Sequence, residues 1–200
     1  MGQPWDNRTV VFLDRDGTIN KNYEEGPVYK LGLFELLPGT AQAIRNLNDA
    51  ELKVLVATNQ GGIQHKDRDF SWDEYRRIED AMHTMLKAEA DAAVDDVFVC
   101  HHADYESCAC RKPETGLFDQ AHKKYPFEPS ESYIVGDSTA DIIAGKRFGL
   151  KTILVTSGWK KDVAEKLDAA GQSPDLVVPD LSKASAHIIE QLTKSQTPNP

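Results

Sequence analysis

The chain has 200 residues, about two-fifths of them apolar, with a formal net charge of −9 and three cysteines. That is enough sequence for one domain with a sizeable core and short for two. The acidic balance, with no long basic run, excludes nucleic-acid binding driven by counterion release, and no apolar run reaches the roughly 20 residues of a membrane-spanning helix.

In chain order, the opening "MGQPWDN" carries neither a signal-peptide core nor a Ser or Thr at position 6 for myristoylation, so a cytoplasmic location is expected. The run "VVFL" at 10–13 predicts a buried strand that ends in "DRDGT". Gly39–Ala50 sets Ala43, Ile44 and Leu47 on one helical face, and "KVLVAT" at 53–58 predicts a second strand. Ser71-Trp-Asp-Glu74 has the form of a capping box, followed by Tyr75, Ile78, Met82, Met85 and Leu86 at helical spacing. Strands are then expected at 97–100, 133–136, 151–156 and 175–178, and helices at Thr115–Lys124, Ser138–Phe148, Asp162–Ala170 and Leu181–Leu192. This alternation gives the fold class α/β, a single doubly wound (Rossmann-like) parallel sheet with helices on both faces. About ten residues separate Gly61 from Ser71, too few for a large cap domain. One domain over 1–193 and a disordered tail over 194–200, "KSQTPNP", complete the organisation.

Ligands of open parallel sheets bind outside the carboxyl ends of the strands, which selects Asp14, Asp16, Thr58, Asn59, Cys100, His102 and Asp137. Asp14 and Asp16 are two apart, so on an extended chain both point to one face and Arg15 to the other. Two neighbouring carboxylates at the end of a buried strand require a cation, and a metal ion is the first candidate. An isolated D-x-D is common by chance; its company gives it weight. Further along, Cys100-x-His102, five residues, then Cys108-x-Cys110 supplies three thiolates and one imidazole, the ligand set of a closed structural Zn²⁺ site. His101 is the rival ligand; strand alternation favours His102, on the same side as Cys100. Zinc here orders the loop that carries Arg111 and Lys112. Clustered reduced thiols also fit a reducing compartment.

"DRDGT", "TNQ", "RKP" and "GDSTAD", in this order, resemble the four motifs of the haloacid dehalogenase superfamily of phosphohydrolases, over roughly positions 8–160. The resemblance implies that Asp14 attacks phosphorus to form an aspartyl-phosphate, and that Asp16 protonates the leaving group and later takes a proton from water. It implies that Thr58 and Asn59 donate to the phosphoryl oxygens, that Lys112 neutralises charge in the transition state, and that Mg²⁺ is held by Asp14, the backbone carbonyl of Asp16, and Asp137. Asp141 reads either as a supporting acid or as a surface residue complementing the helix dipole, outside the metal's ligands. The zinc loop fused to "CRKP" resembles two groups within the superfamily, the heptose bisphosphate and the histidinol-phosphate phosphatases. "GPVYKLGLFELLPG" resembles the former; the five-residue gap between His102 and Cys108 resembles the latter. The expected reaction is removal of the 7-phosphate of D-glycero-D-manno-heptose 1,7-bisphosphate, with Arg111 on the far phosphate and histidinol phosphate as the alternative substrate. A nucleic-acid end phosphatase and a zinc-stabilised interaction module with a decayed site are weaker alternatives. The expected partner is thus a small phosphorylated substrate, a sugar bisphosphate, with no nucleic acid and no membrane, acting on a monomer.

Overall fold

The computed structural model describes residues 8–23, 28–63 and 69–196. Six parallel strands form one sheet: β1 (Val10–Leu13), β2 (Lys53–Asn59), β3 (Asp96–Cys100), β4 (Tyr133–Gly136), β5 (Lys151–Val155) and β6 (Leu176–Val178), in the order β3-β2-β1-β4-β5-β6. The helices between them are α1 (Thr40–Asp49), α2 (Trp72–Ala90), α3 (Gly116–Lys124), α4 (Thr139–Phe148), α5 (Val163–Ala169) and α6 (Leu181–Gln196). The order reverses between β1 and β4, where Val11, Phe12 and Leu13 pair with Tyr133, Ile134 and Val135. Such a switch point opens a crevice at the strands' carboxyl ends.

The central strands are apolar throughout because both faces are covered. Val11 and Leu13 pack with Ile44 and Leu47 of α1, Ile78 and Met82 of α2, and Ile188 of α6. The alternate residues Val10 and Phe12 pack with Leu117, Phe118 and Ala121 of α3. Phe12 meets Phe118 edge-on at 4.9 Å between ring centroids and Phe127 at 5.5 Å, a geometry that adds to the value of the buried area.

Two capping arrangements differ from expectation. Ser71 Oγ accepts from Glu74 N at 3.1 Å, but the Glu74 carboxylate does not return to Ser71; it accepts from Leu31 N at 2.9 Å and anchors a 3₁₀ turn at Leu31–Leu33. The reciprocal box lies instead at α4, between Ser138 and Asp141. α6 continues to Gln196, so Lys194–Gln196 are helical where the tail was expected to begin; positions 1–7 and 197–200 lie outside the described residues. No helix among the described residues is long and apolar enough to cross a membrane.

Candidate active site

The crevice at the switch point is an open cleft of about 180 Å³ lined by Asp14, Asp16, Asn22, Thr58, Asn59, Lys112, Asp137, Ser138, Trp159 and Lys160. β1 delivers Asp14, whose N–H still donates to Val135 O of β4 at 2.9 Å. The chain then leaves extended geometry: the N–H groups of Ile19 and Asn20 converge on Arg15 O at 2.9 and 3.1 Å, and Gly17 takes φ +95°. Although the segment is not extended after Asp14, Asp14 and Asp16 both line the cleft and Arg15 does not.

Each acid has its own buried cation. Lys112, 3 % exposed, donates from Nζ to Asp14 Oδ1 at 2.8 Å, and also to Asp141 Oδ1 and Ala57 O. Arg15, 1 % exposed, continues the Val11–Leu13 face, lays its guanidinium 5.8 Å from the Tyr75 ring centroid, and donates from Nε and Nη2 to Asp16 Oδ2 at 3.1 and 2.9 Å. Asn20 Nδ2, Val28 N and Gln60 Nε2 complete the shell around the Asp16 carboxylate, at 3.0, 3.0 and 2.7 Å. Its backbone carbonyl lies 3.5 Å from Asn22 Nδ2, which also donates to Asp137 Oδ2 at 2.8 Å.

Asp14, Asp137 and Asp141 each bring a carboxylate oxygen within 4.8 Å of the others. Burial pushes Asp14 up to about 7, with Lys112 opposing and Asp141 adding to the rise; burial pushes Asp137 up to about 8, with Asp14 and Asp141 adding to it. Burial works against the Lys112 ammonium, yet Asp14 and Asp141 outweigh it and lift Lys112 above the usual lysine value. Four buried carboxylates, Asp14, Asp16, Asp137 and Asp141, thus face two buried cations, Lys112 and Arg15. The deficit of two positive charges fits a divalent, oxygen-seeking ion. Asp141 lies deeper than the sequence suggested: it is fully buried, with Oδ1 facing Lys112 and Oδ2 accepting from Ser138 N and Oγ, so it is the lysine's counter-ion.

Asn59 and Arg111 both engage backbone groups of the protein. Both ends of the Asn59 amide are engaged by the Lys112 backbone, Nδ2 donating to Lys112 O at 2.9 Å and Oδ1 accepting from Lys112 N at 3.0 Å, so the side chain holds the lysine's loop. Arg111 Nη1 donates to His102 O at 3.2 Å, and Arg111 is not among the described residues lining the cleft. Thr58 lines the cleft, and its Oγ1 accepts from Gln60 Nε2 at 2.8 Å.

Cys100, His102, Cys108 and Cys110 converge next to this loop. Their ligand atoms all lie within 4.8 Å of one another, and five of the six pairs are 3.1–3.8 Å apart: Cys110 to Cys100 3.1, to His102 3.3 and to Cys108 3.7; Cys100 to His102 3.6 and to Cys108 3.8. A tetrahedron with thiolate arms of ~2.3 Å has edges of about 3.8 Å, so the four donors suit zinc. His101 turns away and lies between Trp72 and the His102 ring. Asn22, Trp159 and Lys160 line the cleft without any signal in the sequence, and Ser138 lines it from within the "GDSTAD" motif. The loop bearing Trp159 and Lys160 is docked by Ser157 Oγ on Gly17 O at 2.8 Å and by Trp159 N on Asn22 Oδ1 at 3.1 Å.

A HAD-hydrolase-like family model matches residues 109–184. The D-glycero-D-manno-heptose-1,7-bisphosphate 7-phosphatase of Thermosynechococcus vestitus is 35% identical over 196 residues, 92% of this chain and 97% of that protein. The D-glycero-beta-D-manno-heptose-1,7-bisphosphate 7-phosphatase of Haemophilus ducreyi is 34% identical over 158 residues, 76% of this chain and 85% of that protein. Among solved structures, the D,D-heptose 1,7-bisphosphate phosphatase of B. bronchiseptica, complexed with magnesium and phosphate, superposes with a TM-score of 0.81 at 31% identity, covering 92% of this chain and 99% of that one. With this sheet order, this set of buried acids and these relatives, the chain belongs to the haloacid dehalogenase-like hydrolases, grouped with their heptose bisphosphate phosphatases, and is a phosphatase.

Proposed function

We propose that the enzyme removes the 7-phosphate of D-glycero-D-manno-heptose 1,7-bisphosphate and leaves the 1-phosphate in place. The observation that carries the reading is the buried Asp14–Lys112–Asp141 array at the floor of an open cleft. One Asp14 oxygen contacts Lys112, leaving the carboxylate's other oxygen to attack phosphorus and form an aspartyl-phosphate as the bond to the sugar oxygen breaks. Asp16, lining the same cleft, enters the step protonated, gives that proton to the departing sugar oxygen and then takes one from the water that hydrolyses the intermediate. The Thr58 hydroxyl donates to a phosphoryl oxygen, while Lys112, fixed on both sides, offsets the charge that gathers on the transferring group.

Asp14, Asp137 and the Asp16 carbonyl would hold Mg²⁺, which, when bound, supplies the missing positive charge and polarises the phosphoryl group. Cys100, His102, Cys108 and Cys110 would hold Zn²⁺, whose part is to set the loop leading to Lys112. Lys160, which lines the cleft, and Arg111, next in the chain to Lys112, are the cations for the non-reacting phosphate. We read the enzyme as a cytoplasmic monomer, where its three thiols stay reduced. Specificity constants for the heptose bisphosphate and for histidinol phosphate on one preparation test the assignment: a clear preference for the bisphosphate is expected, and equal constants would overturn it. Arg111→Ala or Lys160→Ala should cost more with the bisphosphate than with a small monoester, because remote contacts position the reacting end.

A further inference from the structure

Gln60 follows Thr58 and Asn59, is fully buried, and reaches two groups that the reaction needs. Its Nε2 lies 2.7 Å from Asp16 Oδ2 and 2.8 Å from Thr58 Oγ1. In the state described Asp16 accepts from the donors Arg15, Asn20 and Val28, and the NH₂ end of Gln60, not its oxygen, faces it. Among the described residues Gln60 Oε1 meets no donor, and its described hydrogen bonds are made by the NH₂ end. One amide hydrogen goes to Asp16 and the other to Thr58.

The consequence for Thr58 is a matter of counting protons. A hydroxyl has one hydrogen and two lone pairs. With one lone pair occupied by Gln60, the hydroxyl proton of Thr58 is directed elsewhere, and the side chain lines the cleft.

We infer that Gln60 is a positioning residue: it sets the Thr58 hydroxyl as a donor toward the phosphoryl group and holds Asp16 beside the same point, coupling phosphoryl binding to proton transfer. The inference rests on the roles given above to Asp16 and Thr58. Gln60→Met keeps the length and removes the donor; Gln60→Glu, nearly the same shape, serves if the first variant does not fold. The assay is steady-state hydrolysis of an aryl and an alkyl phosphate monoester by the Mg²⁺-loaded enzyme, with Thr58→Val and the double variant alongside. Expected is a fall in kcat of about 10–100-fold, the range for lost supporting hydrogen bonds, with KM little changed. The fall should be greater for the alkyl ester, whose poor leaving group depends on the Asp16 proton. In the double variant the two losses should overlap, since Gln60 acts through Thr58. Additive losses, equal losses for both esters, or unchanged kcat would overturn the inference. A costly Thr58→Val with additive losses would remove the Gln60 role alone, whereas a silent Thr58→Val would remove the phosphoryl-binding role of Thr58 as well.

Discussion

Replacing Lys112 by methionine would separate its two duties, holding the site together and serving the reaction. Its ammonium contacts Asp14 at 2.8 Å and also Asp141, with 2 % of the side chain exposed. At an effective dielectric constant near 20, one such contact is worth about 6 kcal/mol before desolvation is counted. Removing the lysine refunds only its own desolvation and leaves two buried carboxylates facing each other, so a net loss of roughly 3–5 kcal/mol is expected, as for other broken buried pairs. At about 2–4 °C per kcal/mol for a domain of this size, the melting temperature should fall by roughly 10 °C. Calorimetry without Mg²⁺ isolates this effect from the metal. Lys112→Met with Asp141→Asn removes the uncompensated charge and should regain most of the lost stability, yet both variants should lose at least about 10²-fold in kcat at 25 °C, where they remain folded. An unchanged melting temperature in Lys112→Met, or activity regained by the double variant, would refute the reasoning.

Asp14→Asn should abolish turnover without lowering the melting temperature, since Lys112 keeps Asp141; measurable hydrolysis by the purified variant would remove Asp14 as nucleophile. In Mg²⁺-free buffer, Asp14 and Asp137 sit at about 7 and about 8 against an ordinary carboxylate value of 3.8, so the folded state binds more protons than the unfolded one across that interval. Stability should therefore fall as pH rises from about 4 to 8, and Mg²⁺ should flatten the slope; a metal-free melting temperature that climbs over that range would contradict the burial of these acids. Metal analysis should find about one zinc per chain, and Cys110→Ser should lower thermal stability and activity together, because Lys112 is two residues away. Loss of neither would dissociate the cluster from the catalytic loop.

The strands were legible because both sheet faces are covered, so runs such as "VVFL" and "YIVG" are uninterrupted and their limits fall within a residue or two. The same alternation chose His102 over His101. What the sequence withheld are pairings between distant positions. Asn22 meets Asp137 across 115 residues, and Trp159 reaches the cleft only because its loop docks on the turn after β1. Neither relation leaves a period or a spacing to read. Asp141 read either as a supporting acid or as a surface complement to a helix dipole, because a capping box and a buried counter-ion share one pattern until the opposing lysine is located. The Asn59 amide looked free for substrate because its partner is the backbone of a residue 53 positions on.

Gly17 and Gly158 lie far apart in the chain and close on the same carboxylate. A Cβ at Gly17 would stand 2.1 Å from Asp137 Oδ2, and one at Gly158 only 2.0 Å. Gly17 also has a positive φ and would be kept as a turn residue in any case, but no such φ accounts for Gly158. Its restriction comes wholly from a neighbour recruited from another strand. An exchange at Gly158 should therefore be tolerated only where the acid at 137 has changed with it. A glycine that looks like loop punctuation is thus a marker of descent for the acid it touches.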